Sequence, residues 1–530
     1  MKNKVHVVLQ ARTGSSRLYG KVLLPILGVP LVVLCWRRLK LSNLDVVVII
    51  PKGSEDDFLA KILKKNKIKY FRGSSKNVLK RFQNYSKKFK SEDIIVRVTA
   101  DNPFVDGFFL KKILSIYLKK KLNYFSSHEN IKSIPYGMQA EIFRVKHLRE
   151  IKKKTNYICE HVTPSIKKKY LFRKFKINLN IPKKLSNLRL TIDYIKDFKR
   201  IEKIFNVSKK NLYINFFKIL KKNENKKKNK RLKKKSQLIL GTVQLGLKYY
   251  DEKIKINQKR ASNILTTANS KKINYLDTAS TYGMSEKFIG NIVKNNKFSF
   301  YISSKLKDLK ISNKVNDSTL IKKINDNIFN SLINLNTYYL DDLLVHNCEN
   351  IFKSKTLYLH LKKFLRCGII KNIGASIYTP EEFYKLKKYK IIKTIQFPFN
   401  ILDYRWLNIL ANKNNNSPRL FARSILMRGN IRKNNIIFNK NNTQSKKLTK
   451  KLLVISKEYQ KKDLIDLSIS YVKSFKEIDY FVIGVQNTAQ LLEITDYFKN
   501  KKLNNTQKFN IIELVKKTYN AKNSDLRNWH

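Results

Sequence analysis

Three apolar runs between residues 273 and 346 are each followed or closed by a polar side chain that could take part in catalysis. The run INYLDTASTYG contains Asp277 and Tyr282, FSFYISSKL contains Lys305, and YYLDDLLVH ends at His346. Apolar runs of this length that alternate with amphipathic stretches predict the parallel strands of an α/β barrel. Because the carboxyl ends of such strands share one mouth, these four side chains would meet there. Together they suit protonation of a carbonyl oxygen while a hydride arrives.

These four residues can be given complementary roles in carbonyl reduction. Tyr282 would donate its phenolic proton to the forming alkoxide, and because an unperturbed tyrosine titrates at about pH 10, the Lys305 ammonium would ease that transfer. Asp277 would hold Lys305 in place, and His346 would orient the carbonyl or share the proton. Taken singly, each residue has an ordinary alternative as a helix cap, packing group, surface charge or strand end. Their joint placement, each on the carboxyl side of its own strand, favours catalysis.

A second constellation follows the first apolar run, residues 5–9, where the sequence reads QARTGSSRLYGK. Its glycine and serines supply a loop whose backbone N–H groups can turn toward an anion. Two arginines and a lysine add fixed positive charge around it, which suits a triphosphate. The spacing is not that of a G-x-x-x-x-G-K-[ST] P-loop. The candidate phosphate ligands are Arg12, Gly14, Ser15, Arg17 and Lys21.

Two acids further along are candidates for the same site. Asp101, in TADNP, follows the apolar run DIIVRVT, and ligands bind at the carboxyl ends of strands in open α/β sheets. Asp193, in LTIDYIKDF, stands just before a helical stretch, so a helix-capping role explains it equally well. The residues alone therefore favour ligand binding for Asp101 and leave Asp193 open.

The elements that would position these residues fall into two halves. Residues 221–236, KKNENKKKNKRLKKKS, contain one apolar residue, Leu232, and predict a solvated linker, with a nucleic-acid-binding arm as the alternative. Before this segment, apolar strand-like runs alternate with amphipathic stretches. After it, the length is close to the roughly 250 residues of an eight-fold barrel. We therefore predict one domain at 1–220 and another at 237–530.

The composition is globular but very basic. The 530 residues predict two to four domains, and a hydrophobic fraction of 42% supports real cores. The 112 lysines and arginines against 38 acids leave a net charge of +74, which could attract polyanions or anionic lipid. Because the charge is spread along the whole chain, compositional drift explains it better than a dedicated nucleic-acid site.

Cysteine usage and hydropathy predict a cytoplasmic protein. The cysteines are too far apart for a C-x-x-C pair, so neither a disulfide framework nor a zinc site is indicated. The most apolar stretch, residues 22–36, is too short for a membrane span and contains two prolines and a glycine. We interpret it as a buried loop and helix.

The N-terminal half resembles the cytidylyltransferases, close to the spore-coat polysaccharide biosynthesis type and similar to enzymes that activate sugar acids with CTP. The resemblance covers nearly all of residues 1–205 in family order, through QARTGSSRLYGK, VLLPILGVPLV, FRGSSKNVLKRF, VRVTADNPFVD, GMQAEIF, EHVTP and LTIDYIKDF. The implied CTP phosphate ligands are Arg12, Ser15, Arg17 and Lys21, and the implied Mg²⁺ ligands are Asp101 and Asp193. The implied reaction is attack of a sugar hydroxyl on the α-phosphorus of CTP, with pyrophosphate leaving.

The N-terminal half departs from this pattern at two positions. Tyr19 replaces a proline, which would loosen the fixed backbone angle of the loop, and Asn77 replaces a usual acid. Both leave the sugar specificity open. His161, Glu141 and Glu160 match family motifs, and a structural or substrate-positioning role is favoured over a catalytic one.

The C-terminal half resembles the aldo/keto reductases in family order across residues 238–499, through LGTVQLG, NYLDTASTYGMSE, SSKL, LLVH, IGASIYTPEE, TIQFPFN, FARSI and FVIGV. The resemblance implies NADP or NAD, since the protein has no hydride of its own. Ser376 and Gln396 would hydrogen-bond the carboxamide of the coenzyme. The other residues implied to line it are Gly241, Thr242, Arg423, Ser424 and Gly484. No G-x-G-x-x-G follows a strand here, which fits a barrel reductase.

Several positions leave details of the coenzyme site open. The stretch Gly484–Gln490 has no cation for a 2′-phosphate, so the preference between NADP and NAD is undecided, with a slight lean to NADP. Ile377 replaces the usual asparagine after Ser376. Arg423 stands where many relatives stack an aromatic ring on the nicotinamide.

The sequence thus predicts an α/β protein with an N-terminal nucleotidyltransferase-type open sheet and a C-terminal (β/α)8 TIM barrel. The expected function is bifunctional, with CTP-dependent cytidylyl transfer to a sugar or sugar acid and reduction of a small carbonyl substrate in surface-glycan synthesis. In the alternatives, only the reductase is active, and the N-terminal half is a glycosyltransferase-like or polyanion-binding module. A basic binding protein without activity is a further possibility. The oligomeric state is not indicated.

Overall fold

The computed structural model describes residues 3–151, 155–171, 175–181, 183–206, 215, 236–248, 257–296, 298–312, 315–436 and 443–520. The chain forms two compact units, the first with residues 1–230 and 315–338 and the second with residues 231–314 and 339–530. Apart from Ser236, the predicted linker 221–236 lies outside the described residues. The predicted domain boundaries therefore stay a prediction.

The first unit alternates strands and helices in its described residues. Its strands are β1 (Val5–Gln10), β2 (Pro25–Ile26), β3 (Val29–Pro30), β4 (Asp45–Pro51), β5 (Tyr70–Gly73), β6 (Ile94–Thr99), β7 (Tyr124–Ser126), β8 (Ile131–Lys132), β9 (Ala140–Arg144) and β10 (Ile177–Asn178). Its helices are Leu31–Lys40, Asp57–Lys65, Val78–Ser86, Gly107–Lys119, Ser127–Asn130, Val145–Arg149, Asn156–His161, Pro164–Tyr170, Lys183–Ser186, Ile195–Asn206 and Asp317–Asn334.

One open sheet organises the first unit. Its strands lie in the order β5-β4-β1-β6-β9-β7, and β1 has parallel neighbours on both sides. Val7, Val8 and Leu9 in β1 are at most 1% exposed, as expected for a strand covered on both faces. The strand order reverses at β1, because β4 lies on one side and β6 on the other, and such a point opens a crevice at the carboxyl ends of the strands. The predicted open α/β sheet is confirmed.

The apolar stretch 22–36 is a buried hairpin and helix, as predicted. β2 and β3 pair antiparallel around Leu27 and Gly28, which both have left-handed backbone angles. The helix Leu31–Lys40 follows at once and buries most of its first two turns. Among the described residues no helix combines the length and the apolarity needed to cross a bilayer.

The second unit is a closed barrel of parallel strands, which confirms the predicted TIM barrel. Its strands pair in sequence order, and β11 closes the ring by pairing with both β12 and β18. They are β11 (Leu238–Gly241), β12 (Tyr275–Asp277), β13 (Tyr301–Leu306), β14 (Asp342–Val345), β15 (Ile373–Ser376), β16 (Ile392–Pro398), β17 (Arg419–Arg423) and β18 (Tyr480–Gly484).

The helices of the second unit connect and flank these strands. In the described residues they are Val243–Gly246, Gln258–Ser270, Ser285–Asn296, Glu349–Lys353, Lys355–Arg366, Pro380–Leu386, Leu407–Ala411, Thr443–Glu458, Leu464–Val472, Thr488–Tyr497 and Asn505–Thr518. Most begin at an Asn, Ser, Thr or Asp whose side chain accepts a hydrogen bond from the first turn, as at Asn257 and Ser354.

The amino end of the barrel is occupied by a buried polar network. Asp342, at the start of β14, is fully buried and accepts hydrogen bonds from Tyr275, Thr394 and Arg419, which lie near the starts of β12, β16 and β17. Because these groups satisfy one another, this end serves stability. The carboxyl end is where the chemically reactive side chains lie.

Candidate active sites

The loop after β1 is a tight structure held by its own backbone. Its Thr13 carbonyl oxygen accepts from the amides of Ser15 (2.9 Å) and Gly20 (2.8 Å), and the Thr13 amide donates to Asp56 Oδ1 (2.7 Å). Gly20 has φ 65°, the left-handed conformation that favours glycine. The Ser15 amide, expected to face an anion, thus donates within the loop, while the Ser15 hydroxyl accepts from the Leu18 amide at 3.4 Å.

Lys21 connects the phosphate loop to both predicted metal ligands. Its Nζ donates to Asp101 Oδ2 (2.7 Å), to Asp193 Oδ1 (3.3 Å) and to the carbonyl oxygen of Ile192 (2.8 Å). The Lys21 residue is 8% exposed, so these contacts replace most of its hydration. Residues 80 and 172 positions apart therefore converge on one ammonium group.

The electrostatics of Asp101 favour its charged form. Burial alone would raise the pKa of this carboxyl, but the Lys21 ammonium and a hydrogen bond from the Thr99 hydroxyl (2.6 Å) outweigh it, so the pKa lies below its usual value. Two carboxylates that face one cation suit Mg²⁺, which typically takes one or two carboxylates and completes its shell with phosphate oxygens and water. Within the described part of the chain, no group of three or more His, Cys, Asp or Glu could hold a metal by itself.

Asp193 contacts cations rather than a helix terminus. Its Oδ1 lies 3.0 Å from Arg17 Nη2, and its Oδ2 lies 2.5 Å from Arg189 Nη2. At the start of the helix Ile195–Asn206 it is Asp197 that accepts from the backbone, from the amides of Asp193 (2.8 Å) and Tyr194 (2.9 Å). The helix-capping alternative for Asp193 is therefore wrong.

The remaining phosphate-loop residues lie at the rim of the same crevice. The side chains of Arg17 and Arg12 are 55% and 44% exposed, and Arg12 Nη2 is paired with Glu160 at 3.1 Å. A Cβ on Gly14 would approach Glu55 Oε2 to 3.3 Å, so this position is crowded on one side. The structure thus brings Arg17, Lys21, Asp101 and Asp193 into one cluster, and leaves Arg12 on a different carboxylate.

The two departures from the family pattern have structural explanations. Tyr19 is fully buried, and its hydroxyl accepts from Asn325 Nδ2 at 2.8 Å, so packing holds the loop that a proline would have stiffened. Asn77 caps the helix Val78–Ser86, where its side chain accepts from the Lys80 amide at 2.8 Å. An acid would cap the same helix.

Glu141 belongs to a buried network beside the crevice. It pairs with Arg97 and accepts from the hydroxyls of Tyr124 (2.6 Å) and Thr163 (2.7 Å), while Arg97 also donates to Gln10 Oε1 at 3.0 Å. These contacts support the structural interpretation of Glu141. By contrast, His161 is exposed, with its ring 4.6 Å from that of Tyr157.

In the second unit the predicted catalytic residues lie together at the carboxyl end of the barrel. Lys305 Nζ is 2.5 Å from Asp277 Oδ2 and 3.4 Å from the Tyr282 hydroxyl, and it also donates to the Thr278 carbonyl oxygen at 3.3 Å. Lys305 and Asp277 are 2% and 4% exposed. His346 follows β14, and its amide donates to the Leu306 carbonyl oxygen at 3.0 Å, next to Lys305.

The surroundings of Lys305 and His346 shift the pKa values of these two side chains in opposite directions. Burial would lower the pKa of Lys305, but Asp277 and Tyr282 more than offset it, so the pKa is raised and the ammonium persists. Burial together with the positive charges of Lys305 and Arg423 lowers the pKa of His346 to about 4. The imidazole is therefore neutral at pH 7.

The predicted carboxamide ligands fit a nicotinamide. Ser376 ends β15 and pairs in register with Gln396 of β16, and both residues are nearly fully buried. Gln396 Nε2 donates to Asp277 Oδ1 at 3.0 Å, which leaves Gln396 Oε1 buried and without a partner among the described residues. A buried acceptor without a donor is costly, and a carboxamide N–H₂ group would satisfy it.

The other predicted coenzyme residues have mixed roles. Gly484 is exposed at the end of β18, and a Cβ there would meet Gln244 Oε1 at 2.6 Å. Gly241, at the end of β11, pairs with Gly484.

The Thr242 hydroxyl donates to the Asp277 carbonyl oxygen at 3.0 Å and accepts from Ser285, so Thr242 fixes the catalytic loop. Ser424 has φ 58°, and its carbonyl oxygen accepts from the Met427 amide at 2.8 Å.

Arg423 lies at the carboxyl end of β17. Its Nη2 donates to the Ile377 carbonyl oxygen at 3.2 Å, and its Cζ lies 4.5 Å from the centre of the Tyr378 ring. The guanidinium thus rests on the residues that follow Ser376. It also faces His346 closely enough to lower the pKa of that imidazole.

Two supporting residues were missed by sequence reasoning. A Cβ on Gly246 would come within 1.9 Å of the Tyr282 carbonyl oxygen, so only glycine lets the catalytic loop lie this close. Arg260 donates to the carbonyl oxygens of Gln486 (2.7 Å) and Gln244 (3.1 Å), and so connects the segment after Gly484 to the helix Val243–Gly246. The glycine in LGLKYY was a possible signal, whereas nothing local pointed to Arg260.

A surface cavity of about 490 Å³ lies elsewhere in this unit. Its lining includes Phe383, Tyr389, Ile392 and Pro418, near the amino end of β16. None of the predicted site residues lines it. The chemical groups therefore favour the carboxyl end as the active site, as in other barrels of this type.

Comparison with known proteins matches each half to a family. Residues 237–516, just over half of the chain, match the aldo/keto reductase family, and residues 6–260 match the cytidylyltransferase family. Among solved structures, the holo form of the aldo-keto reductase AKR11C1 from Bacillus halodurans is 18% identical, with a TM-score of 0.44, over 54% of this chain and 92% of that one.

Two curated relatives match the N-terminal half. The uncharacterized protein MJ1063 of Methanocaldococcus jannaschii is 38% identical over 201 residues, covering 37% of this chain and 81% of the relative. The spore coat polysaccharide biosynthesis protein SpsF of Bacillus subtilis is 30% identical over 214 residues, covering 38% of this chain and 87% of the relative. The chain therefore belongs to the cytidylyltransferase family through its N-terminal half and to the aldo/keto reductase family through its C-terminal half, and both halves are enzyme domains.

Proposed function

We propose that this protein combines cytidylyl transfer from CTP to a sugar or sugar acid with NADPH- or NADH-dependent reduction of a carbonyl, in the synthesis of a surface polysaccharide. The observation that carries the proposal is the pairing of Lys305 with both Asp277 and Tyr282 inside the barrel mouth. The similarity of the N-terminal half to SpsF supports the polysaccharide context. The cytoplasmic location stays a prediction.

In the reductase, the side chains supply the proton and hold the carbonyl. Tyr282 donates its phenolic proton to the carbonyl oxygen, and the Lys305 ammonium at 3.4 Å stabilises the phenolate that remains. Asp277 keeps that ammonium charged and in place. The neutral imidazole of His346 orients the carbonyl by a hydrogen bond. A bound nicotinamide coenzyme supplies the hydride.

The coenzyme would be held at its carboxamide by Gln396 and Ser376. The unpartnered Gln396 Oε1 accepts from the carboxamide N–H₂ group, while Gln396 Nε2 stays on Asp277. This contact ties the coenzyme to the same carboxylate that holds Lys305. Gly241, Thr242, Ser424 and Gly484 line the remainder. The coenzyme is NADP or NAD, because the stretch Gly484–Gln490 contains no cation that would select for a 2′-phosphate.

In the transferase, the cations of the β1 loop position the triphosphate. Arg12 and Arg17 are exposed enough to exchange their present carboxylates for phosphate oxygens, and Lys21 is placed to do so at the base of the crevice. Asp101 and Asp193 would hold Mg²⁺, and the chemistry that the ion would supply is neutralisation of the charge on phosphate oxygens. The sugar hydroxyl would attack the α-phosphorus of CTP, with pyrophosphate as the leaving group.

Both activities can be tested on the full chain. Purified protein with Mg²⁺ and CTP should release pyrophosphate in the presence of one or more sugar acids from a panel of ulosonic and nonulosonic acids. The same protein should oxidise NADPH or NADH with an aldose or a keto sugar. Failure of both assays across the panels would refute the proposal. A thermal shift with UDP-sugars but not with CTP would instead indicate a glycosyltransferase-like N-terminal domain.

A further inference from the structure

We infer that Arg423 makes the reductase select carbonyl substrates that carry a negative charge, such as a carboxylate. This inference rests on the proposed reductase function and adds the chemical class of its substrate. It reassigns Arg423 from lining the coenzyme to recognising the substrate.

The position of Arg423 allows it to contact a substrate. It is the last residue of β17, at the same end of the barrel as the catalytic groups, and it is partly exposed. One guanidinium nitrogen donates to the Ile377 carbonyl oxygen, and the guanidinium carbon lies 4.5 Å from the centre of the Tyr378 ring. These two contacts orient the guanidinium but do not neutralise it, because neither partner carries a charge. An arginine fork held in this way is suited to bind a carboxylate through two N–H groups.

The acids at this end of the barrel already have other partners. Asp277 is paired with Lys305, and Asp403 is paired with Arg405. Asp308 accepts from the Asn347 and Asn350 side chains and from the Lys310 amide.

Glu382 is also engaged, since it accepts from the amides of Tyr378 and Thr379. Among the described residues no carboxylate lies within ion-pair distance of Arg423. Asp308 and Glu382 keep their negative charge because the groups that donate to them are neutral, but neither carboxylate pairs with Arg423, so the guanidinium has no acidic partner in direct contact within the described part of the chain. The low pKa of His346 reflects the charge of this guanidinium, since Arg423 is one of its causes. A charged substrate group is therefore the missing counter-ion.

The test compares matched carbonyl substrates on the full-length protein. Succinic semialdehyde and butanal form one pair, and D-glucuronate and D-glucose form another, each with one anionic and one neutral member. For the wild-type protein we expect a higher kcat/KM for the anionic member of each pair. In Arg423→Gln, kcat/KM for the anionic member should fall about 10- to 100-fold, the range of a lost charge-assisted hydrogen bond, while the neutral member changes little.

Two further variants make the result specific. Arg423→Lys keeps the charge and should keep much of the preference. Arg428→Gln removes the same charge five residues along the chain and should leave the preference unchanged. KM for NADPH should be similar in all variants.

Each outcome decides between the inference and the function on which it rests. Equal rates for the two members of each pair, with NADPH still oxidised, would overturn the inference and leave the reductase function intact. A rise in KM for NADPH in Arg423→Gln, equal for both members, would return Arg423 to the coenzyme site and also overturn it. No NADPH oxidation with any carbonyl compound would refute the reductase function and the inference together.

Discussion

Each of the two sites is built around a buried lysine that contacts acid, but the surroundings of the two lysines differ. Lys305 has one carboxylate partner, Asp277, and one phenol, and its side chain is 2% exposed. Lys21 has two carboxylate partners, Asp101 and Asp193, and its side chain is 10% exposed. Asp193 also contacts two arginines whose side chains are 55% and 40% exposed.

The two sites differ in how far their geometry is fixed before a substrate binds. In the barrel, Asp277 and Lys305 lie on neighbouring strands, so the backbone fixes their geometry before anything binds. In the first unit, Lys21 begins a short 3-10 helix (Lys21–Leu23) and Asp193 precedes another helix, so the contact between them joins two side chains that no strand pairing fixes. The barrel site is preorganised, whereas the transferase site is a set of ion pairs that a polyanion can exchange.

Loss of the Tyr282 hydroxyl should abolish most of the reductase activity. In Tyr282→Phe the carbonyl oxygen has no acid at the place fixed by Lys305, so the rate of NADPH oxidation should fall roughly 10²–10⁴-fold. Pyrophosphate release from CTP should be unchanged. Tyr384→Phe removes a hydroxyl from a ring that is 45% exposed and serves as the control. Retention of most activity in Tyr282→Phe would mean that the acid is another group.

Removing one carboxylate should strongly impair the transferase. Asp101→Asn keeps the shape but withdraws a charge from the shared cation site, and we expect pyrophosphate release to fall roughly 10²–10³-fold, with more Mg²⁺ needed for half of the maximal rate. Asp45→Asn, at the exposed opposite end of the sheet, is the charge-matched control. Unchanged Mg²⁺ dependence in Asp101→Asn would show that this acid only holds Lys21.

The sequence allowed the strand ends to be predicted, because a buried parallel strand reads as a continuous apolar run. Asp101, Asp277 and Lys305 were found in this way, and the barrel and the open sheet followed. The partners of Lys21 could not be derived from spacing, since they are 80 and 172 residues away. The local pattern of Asp193 fits either a metal ligand or a helix cap, and the contacts with Arg17 and Arg189 argue only against the cap.

Positions that depend on packing were the least predictable. Tyr19 suggested a looser loop because it lacks the fixed angle of proline. The structure shows it fully buried and hydrogen-bonded to Asn325, 306 residues later in the chain. Gly246 and Arg260 could not be predicted for the same reason. Each contacts a carbonyl group that is distant in sequence and that only the fold brings near.

The neutral imidazole of His346 should make the barrel less stable in mild acid. Its pKa of about 4 in the folded state lies below the value of about 6.5 in the unfolded chain, so between these values only the unfolded chain binds the proton. The stabilising contribution of this residue is complete above about pH 6.5 and is lost as the pH falls toward 4.

This pH dependence can be measured by native-state hydrogen exchange of barrel peptides at pH 7 and pH 5. His346→Asn should lose roughly 1–2 kcal/mol less stability over that interval than the wild type. His128→Asn, which removes an exposed imidazole in the first unit, should behave as the wild type does. An identical loss of stability in His346→Asn would mean that this imidazole takes up its proton equally in both states.

The smallest predicted effect concerns the loop on which the transferase site depends. Tyr19→Phe removes the acceptor for the buried Asn325 Nδ2 while keeping the ring, so the first unit should lose about 1 kcal/mol of stability. Because Lys21 lies two residues further along, hydrogen exchange in peptides covering residues 13–24 should accelerate, and KM for CTP should rise more than kcat falls. Tyr157→Phe, at a ring that is 64% exposed, is the control. If the loop exchanges no faster in Tyr19→Phe, the backbone hydrogen bonds to Thr13 are sufficient to hold it, and the transferase loop is as firmly built as the barrel mouth.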